Sequence, residues 1–271
     1  MKLTLVSYLV PDFLWFYQAV GEYLSRVLEI DTQVSQGEFD SLEDPMFLED
    51  RVDLAFICGL PFIRYSEIKP GQLKAIAAPV MAASRYQNRP VYFADIIVNS
   101  ASNFWHLKDL AGKTFCYNDR GSNSGYHLLR DRLFRAGYPQ GFFGNLIESG
   151  LHQRSMRLVA EGIADCAAID SVVLEQELLK FPELSSHLRV IESIGPCPLP
   201  PIVVAQHLDA KLIDAIQSAL LTPDRDLQLA MKKAQIQRYV AVTSEDYAEL
   251  GLMFNKLEKA GYEISNLNLI F

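Results

Sequence analysis

A short apolar motif that occurs twice is the sequence feature that most constrains the fold. Asp53–Ile57 (DLAFI) and Asp165–Ile169 (DCAAI) share the pattern Asp-x-Ala-x-Ile, and each follows an acidic, helix-like segment. Continuous apolar runs of this kind are typical of strands that are buried on both faces of a parallel sheet. The recurrence of such a strand after a helix predicts two lobes that are built on related α/β plans.

Two breaks in the apolar pattern predict where the chain passes between these lobes. The long apolar strand Val91–Val98 is ended by the polar stretch Asn99–Ser102. After a strand predicted at Leu188–Ile191, Gly195–Pro201 carries four prolines, which fix φ and remove hydrogen-bond donors, so we expect neither helix nor central strand there.

These crossings define the expected domain organisation. The first lobe is discontinuous, residues 1–98 plus 200–271, and the second lobe covers residues 99–199. Two connections between two α/β lobes form a hinge, and a hinged cleft between the lobes can close on a ligand.

Composition and charge favour a small-molecule partner. The 271 residues are 49% hydrophobic and 21% charged, which is ordinary for a globular α/β protein. The net charge of −8 and the lack of a Lys/Arg-rich run argue against nucleic acid or an anionic membrane surface as the main partner. No apolar run approaches the ~18 residues of a membrane span, so we expect no membrane insertion.

The cysteines, the histidines and the amino-terminal segment exclude several further classes. The four cysteines are scattered without a CxxC pair, which predicts free thiols and no zinc site. The histidines lack metal-ligand spacing, so we expect no metal and no cofactor. Leu3–Tyr8 is interpreted as a first core strand and not as an export signal, which places the protein in the cytoplasm if the chain is the full product.

The stretch Tyr117–His127 is the first candidate site. An apolar strand, Lys113–Tyr117, runs into a Gly/Ser loop and then into a helix predicted over residues 125–136. Hydroxyls and free N–H groups at the positive end of a helix dipole favour an anion such as a phosphate or phosphonate. An ordinary helix cap uses the same residue types, so both interpretations stay open.

Two other loops carry candidate ligand contacts. His152 follows Gly150 in a strand-to-helix loop, where side chains commonly face a ligand; a helix cap or surface role is the alternative. The loop after the first strand lies where ligands bind in open α/β sheets and leads into an aromatic cluster. Tyr8 and Trp15 are its best candidates for ligand contact, with core packing as the alternative.

Enzyme motifs are not found in the sequence. It has no GxSxG elbow, no phosphate-binding P-loop and no HExxH, so no residue is assigned a catalytic role and we expect no enzyme. Because this kind of fold can also host catalysis, fold alone does not decide the question.

Four stretches, taken in order, carry a family likeness: Asp53–Gly59, Gly121–Gly125, Ser149–His152 and Asp165–Ser171. In that order they resemble the phosphonate/phosphite substrate-binding proteins of ABC importers, which have the type II periplasmic-binding-protein fold. The family usually shows Ser-Thr-Ser in the second stretch and Ser-Gly-x-His in the third.

The resemblance implies an α/β, two-lobed type II periplasmic-binding-protein-like fold with a hinge of two crossings and a ligand cleft. It also implies capture of a small phosphorus oxyanion or organophosphonate for ABC-type import, with a permease as partner and a periplasmic or lipid-anchored location. In this family the oxyanion is held by the Ser-Thr-Ser loop, a histidine and a tyrosine, and an acidic residue contacts a ligand amino group. The matching residues are Ser122, Asn123, Ser124, His152, Tyr92 and Asp170.

This chain departs from the family pattern at three places. Asn123 replaces a threonine hydroxyl with an amide, Cys58–Phe62 adds an apolar wall, and the first loop is aromatic. These departures support an alternative hypothesis, a cytoplasmic ligand sensor or an enzyme on the same fold that acts on a more apolar or aromatic molecule. In that case Trp15→Ala would cost more ligand affinity than Ser124→Ala.

Overall fold

The computed structural model describes residues 2–38 and 41–265, along which strands and helices alternate. The strands are β1 (Lys2–Ser7), β2 (Asp31–Gln36), β3 (Leu54–Phe56), β4 (Leu73–Met81), β5 (Val91–Asn99), β6 (Thr114–Tyr117), β7 (Asn145–Glu148), β8 (Cys166–Asp170), β9 (Leu188–Pro198), β10 (Ile202–Ala205) and β11 (Ile236–Ala241). The α-helices are α1 (Leu14–Leu28), α2 (Pro45–Leu48), α3 (Gly59–Ile68), α4 (Leu128–Arg135), α5 (His152–Ala160), α6 (Ser171–Lys180), α7 (Leu184–His187), α8 (Ala210–Leu221), α9 (Arg225–Lys233) and α10 (Ala248–Ala260).

The chain divides into two compact units. The first runs to Val91 and resumes over Pro198–Gly251, and the second comprises Tyr92–Cys197 and the chain from Leu252. The mixed α/β fold with one sheet in each unit is the fold class that the sequence predicts. The lobe boundaries expected at residues 98 and 200 stay a prediction, and residues 266–271 of the expected first lobe lie outside the described residues.

The sheet of the first unit has the strand order β11-β4-β10-β3-β1-β2 in the described residues. β1 pairs in parallel with β2 and with β3, whereas β10 and β11 pair antiparallel with their neighbours. Because β1, β2 and β3 are parallel, their carboxyl ends Ser7, Gln36 and Phe56 lie at one edge of the sheet. The loop that carries Tyr8 starts at this edge.

The sheet of the second unit has the order β7-β6-β8-β5-β9. β6 pairs in parallel with β7 and β8, and β5 runs antiparallel to β8 with Ala94 opposite Asp170. The sheet packs against α5 and α6 through buried apolar side chains that include Ile97, Met156, Val159 and Leu174. Parallel strands that are covered by helices are buried and therefore consist of continuous apolar residues. The DCAAI motif, which contains most of β8, is such a run.

Several elements differ from the sequence predictions. The strand expected at Leu188–Ile191 continues through Pro198, so its predicted end is wrong; β9 is an edge strand, a place that tolerates proline. No prediction covered the helices α3, α7 and α9 or the strand β11. The last two can be explained. The hydrophobic residues of α9 occupy a narrow stripe in a charged helix, and β11 alternates polar and apolar residues, so neither gives a long apolar run.

The described helices include none that is long and apolar enough to cross a membrane. The four cysteines are free thiols, with Cys116, Cys166 and Cys197 buried and Cys58 half-buried.

An imidazole–carboxylate cluster joins β1, β3 and the turn after β10. His207 Nε2 lies 2.9 Å from Asp53 Oδ1, and its Nδ1 lies 3.2 Å from Asp50 Oδ1. Asp53 also accepts a hydrogen bond of 2.7 Å from the backbone N–H of Thr4. The Asp53 carboxylate raises the pKa of His207, with Asp50 adding to the effect.

We expect His207→Gln to destabilise the protein more at pH 5.5 than at pH 9. When folding raises the pKa of a histidine, the protonated form stabilises the folded protein. This stabilisation is complete at pH values below the pKa of the unfolded state, and it is lost as the pH rises through the pKa of the folded state. The cluster is partly exposed, so the loss should not exceed about 1 kcal/mol. Thermal unfolding at both pH values measures it; Asp50→Asn should show a smaller loss, and equal losses at the two pH values would contradict the assignment.

Candidate functional site

Three loops of the second unit begin at the same edge of its sheet. β6, β7 and β8 are parallel, and they end at Tyr117, Glu148 and Asp170. β5 runs in the opposite direction, so Tyr92 at its beginning lies at this edge as well. The topology therefore brings together the second-unit residues that the sequence analysis singled out.

The loop after β6 ends in a capped, wide helical turn. Ser122 is the N-cap, and its Oγ accepts a 3.0 Å hydrogen bond from the N–H of Gly125. The turn Asn123–His127 then leads directly into α4. Asn123 and Ser124 are only 2% and 6% exposed, so these polar side chains lie inside the protein and not on its surface.

Gly125 allows this turn to form. A Cβ at this position would lie 1.8 Å from Asn118 Oδ1 and 3.0 Å from Ser122 Oγ. The loop before the turn therefore packs directly against the glycine backbone, which a larger residue would displace.

The second loop, Ser149–Leu151, is held by hydroxyl hydrogen bonds. The N–H of Ser149 donates to the carbonyl of Tyr117 over 2.8 Å, which continues the parallel pairing past the strand end. The hydroxyls of Ser149 and Ser155 lie 2.7 Å apart, and the Cys116 thiol donates to Ser155 over 3.4 Å. These bonds fix where α5 begins.

His152 lies in the first turn of α5 on its buried face, which it shares with Ser155, Met156 and Val159. This is the i, i+3, i+4, i+7 spacing of a helix face that packs on a sheet. Its Nε2 lies 3.2 Å from the Ser124 hydroxyl oxygen, so the first turn of one helix touches the first turn of the other.

Burial lowers the pKa of His152 to about 4, and the nearby backbone of Ala168 opposes that shift only in part. The imidazole is therefore neutral at pH 7. It can donate or accept a hydrogen bond but brings no positive charge.

Asn123 connects two further strands to the site. Its Nδ2 donates to the Tyr92 hydroxyl over 2.6 Å. It also hydrogen-bonds to Cys197, a contact that lowers the thiol pKa, although the larger effect of burial raises it to about 12. Cys197 was missed by the sequence analysis, because it lies in the proline-rich stretch that was interpreted only as a crossing.

Asp170 is the N-cap of α6. Its Oδ1 accepts hydrogen bonds from the N–H groups of Val172 and Val173, over 2.8 and 3.4 Å. Burial raises the pKa of this carboxyl to about 7, against the lowering effect of the two cap bonds; Asp95 and Glu175 raise it further. Asp170 is thus a helix cap that gains or loses a proton near neutral pH.

The other two predicted ligand contacts, Tyr8 and Trp15, belong to the first unit and make different kinds of contact. The Tyr8 hydroxyl donates to Asp44 Oδ2 over 2.8 Å at the carboxyl edge of the sheet. Trp15 packs edge-on against Phe16, and Lys233 Nζ lies 4.4 Å from the Trp15 ring centre. Trp15 therefore takes part in the packing of α1 near α9.

Comparison with known families identifies the class of protein. Residues 11–247 match the family described as "ABC transporter, phosphonate, periplasmic substrate-binding protein". The chain therefore belongs to that family of substrate-binding proteins, as the four ordered stretches of the sequence predict. No curated protein matches the chain.

Solved structures show the same two-lobed fold. The binding-protein component of an ABC phosphonate transporter from Pseudomonas aeruginosa aligns over 99% of this chain and 90% of its own, with TM-score 0.80 and 17% identity. PhnD1 from Prochlorococcus marinus, solved with methylphosphonate, aligns over 95% and 98%, with TM-score 0.80 and 20% identity. The aliphatic sulphonate binding protein of Escherichia coli aligns over 97% and 90%, with TM-score 0.63 and 14% identity.

We expect Asp170→Asn to stabilise the protein at pH 8 but not at pH 4. When folding raises the pKa of a carboxyl, ionising that carboxyl destabilises the folded protein. The protein therefore loses stability as the pH rises from the pKa of the unfolded state, near 3.9, through the pKa of the folded state. Asparagine is also a good N-cap, so the gain at pH 8 should be about 1–3 kcal/mol.

Chemical denaturation at both pH values measures this difference. Asp224→Asn is the matched control: Asp224 caps α9, but Arg26 lowers its pKa, so this variant should lose stability at pH 8. If Asp170→Asn behaved like Asp224→Asn, a raised pKa of the half-buried Asp170 carboxyl would be excluded.

Proposed function

We propose that the chain binds a small phosphonate or related phosphorus oxyanion on the second unit. In this proposal Ser122, Asn123 and Ser124 hold the oxyanion, and His152 and Tyr92 contribute hydrogen bonds. The observation that carries the proposal is the 3.2 Å contact between Ser124 Oγ and His152 Nε2, which brings the first turns of two helices together.

Two helix N-termini meeting at one point favour an anion. The N–H groups of a first turn have no partners within the helix and carry a partial positive charge. α5 supports this function because its N-cap residue, Leu151, makes no side-chain cap hydrogen bond. A tetrahedral oxyanion offers several acceptors that can reach both sets of N–H groups.

The charge balance favours a small ligand held by neutral donors. The residues proposed to hold the oxyanion include no lysine or arginine, and His152 is neutral because its pKa is lowered to about 4. Buried N–H and O–H dipoles can hold an anion without a cation, and they favour an oxyanion over an extended acidic surface.

Asp170 is proposed to meet the organic part of the ligand. An ammonium group would favour the ionised carboxylate, whose pKa is raised to about 7 in the free protein. Ligands with an amino group should therefore gain affinity from Asp170 as the pH rises past neutrality.

Tyr8 is proposed to contribute a ligand contact from the first unit. The hinge and the cleft stay predictions of the sequence.

We also propose that the protein delivers its ligand to an ABC-type permease. The family match supports this function and favours it over the alternative of a sensor or enzyme for an apolar molecule. Trp15, on which that alternative depended, is engaged in helix packing.

We expect Ser124→Ala and His152→Ala each to weaken methylphosphonate binding about tenfold or more, because each removes a buried hydrogen bond worth about 1.5–3 kcal/mol to a charged ligand. Isothermal titration calorimetry with methylphosphonate, phosphite and phosphate measures the affinities. Ser186→Ala is the matched control, because its exposed hydroxyl bonds only near its own helix.

The same titrations separate the two hypotheses. Trp15→Ala should leave methylphosphonate affinity within about twofold of the unchanged chain. Unaltered affinity in the double variant Ser124→Ala, His152→Ala would refute the proposed site, and a larger loss in Trp15→Ala than in Ser124→Ala would favour the alternative.

A further inference from the structure

Asn123 has an unusual hydrogen-bonding state for a buried amide. The side chain is 2% exposed, its Nδ2 group donates to Tyr92 over 2.6 Å, and the amide also hydrogen-bonds to Cys197. In the described residues, its Oδ1 is buried and has no hydrogen-bond partner. Most buried polar side-chain atoms in proteins are paired, so this acceptor calls for a partner that the free chain does not supply.

The position of Asn123 restricts what that partner can be. A fully ionised phosphonate presents only acceptor oxygens, which an amide oxygen repels. A ligand ammonium group would satisfy Oδ1, but Asn123 begins the helical turn at a positive helix end, where a cation is disfavoured. The P–OH group of a monoanionic phosphonate is both a donor and part of an anion, and it satisfies both requirements.

The titratable groups around Asn123 also favour a singly charged ligand. They are Tyr92 on β5, Cys197 on β9, Asp131 on α4, Asp170 before α6, His127 in the same turn, and His152 through Ser124. Lysine and arginine are not among them, and the Asp131 and Asp170 carboxyls both act on Cys197 electrostatically. Arg135 Nε pairs with Asp131 Oδ2 over 2.7 Å, so that carboxylate already has a cation beside it. A second negative charge on the ligand would be repelled by the Asp170 carboxyl once that group is ionised.

We propose that Asn123 makes the site selective for the monoprotonated form of its oxyanion, with Oδ1 accepting a hydrogen bond from the ligand's P–OH group. This inference rests on the proposed function and concerns the ligand's protonation state. It gives the threonine-to-asparagine difference from the family pattern a physical role, because a fixed amide oxygen only accepts, whereas a threonine hydroxyl can rotate and donate.

The test is a calorimetric titration of the intact chain from pH 5.5 to 9 with two ligands. Methylphosphonate loses its P–OH proton within this range, at a second pKa that a ³¹P titration in the same buffer locates. Its monomethyl ester is singly charged throughout and has no P–OH group. Above the second pKa, methylphosphonate affinity should fall about tenfold per pH unit, because only the monoanion binds well.

The ester separates ligand ionisation from protein ionisation. It should bind about tenfold more weakly than methylphosphonate at pH 5.5, and any slope with pH that it shows reports groups such as Asp170. Asn123→Thr should bind methylphosphonate with little dependence on pH, because its hydroxyl can donate to the dianion. If this variant does not fold, the comparison of the two ligands with the unchanged chain still decides.

Methylphosphonate affinity that is constant or rises with pH, once the slope of the ester is subtracted, would overturn the inference and leave the proposed function standing. Equal affinities for the ester and for methylphosphonate at pH 5.5 would overturn it as well. If neither ligand bound at any pH, both the inference and the proposed function would be overturned.

Discussion

The hydrogen bond between Ser124 and His152 is the interaction on which the proposed site depends. It spans 3.2 Å and joins the first turns of two helices that follow neighbouring parallel strands. The surrounding structure fixes both partners. Ser124 lies in the turn that Ser122 caps at Gly125, and His152 lies on the buried face of α5, whose start is held by the hydrogen bond between Ser149 and Ser155. If either support shifted, the contact between the Ser124 hydroxyl and the His152 imidazole would be lost.

The residues proposed to hold the anion include no cation. Burial lowers the pKa of His152 to about 4 and raises that of Asp170 to about 7, so the two titratable groups give the site less charge than their residue types suggest. Hydrogen-bond direction then becomes the main source of selectivity. In the proposed site neutral donors hold the oxyanion, and the unpaired oxygen of Asn123 is proposed to distinguish a protonated from an unprotonated ligand.

Much of the fold could be predicted from the sequence, because buried parallel strands such as β8 leave continuous apolar runs and Gly/Ser loops mark the turns into helices. The meeting of Ser124 and His152 was predictable only through the family likeness and the rule that parallel strands end at one edge. Cys197 was not predictable, since its contact with Asn123 depends on β9 lying beside β5, and no local pattern encodes which strand an edge strand joins. Trp15 packs against Phe16 and lies close to Lys233 of α9, and aromatic character in the sequence does not distinguish such packing from ligand contact, so its ligand contact stays a prediction.

The most direct measurement of the central claim is the ¹⁵N spectrum of the histidine side chains with and without methylphosphonate, with His152 assigned by its absence in His152→Gln. We expect a neutral His152 at pH 5.5 in the free protein and a shift of its ring nitrogens on saturation with ligand. The signals of His106, His187 and His207 should not move. A His152 that is protonated at pH 5.5 without ligand, or whose signals stay in place when methylphosphonate binds, would exclude His152 as a neutral ligand contact.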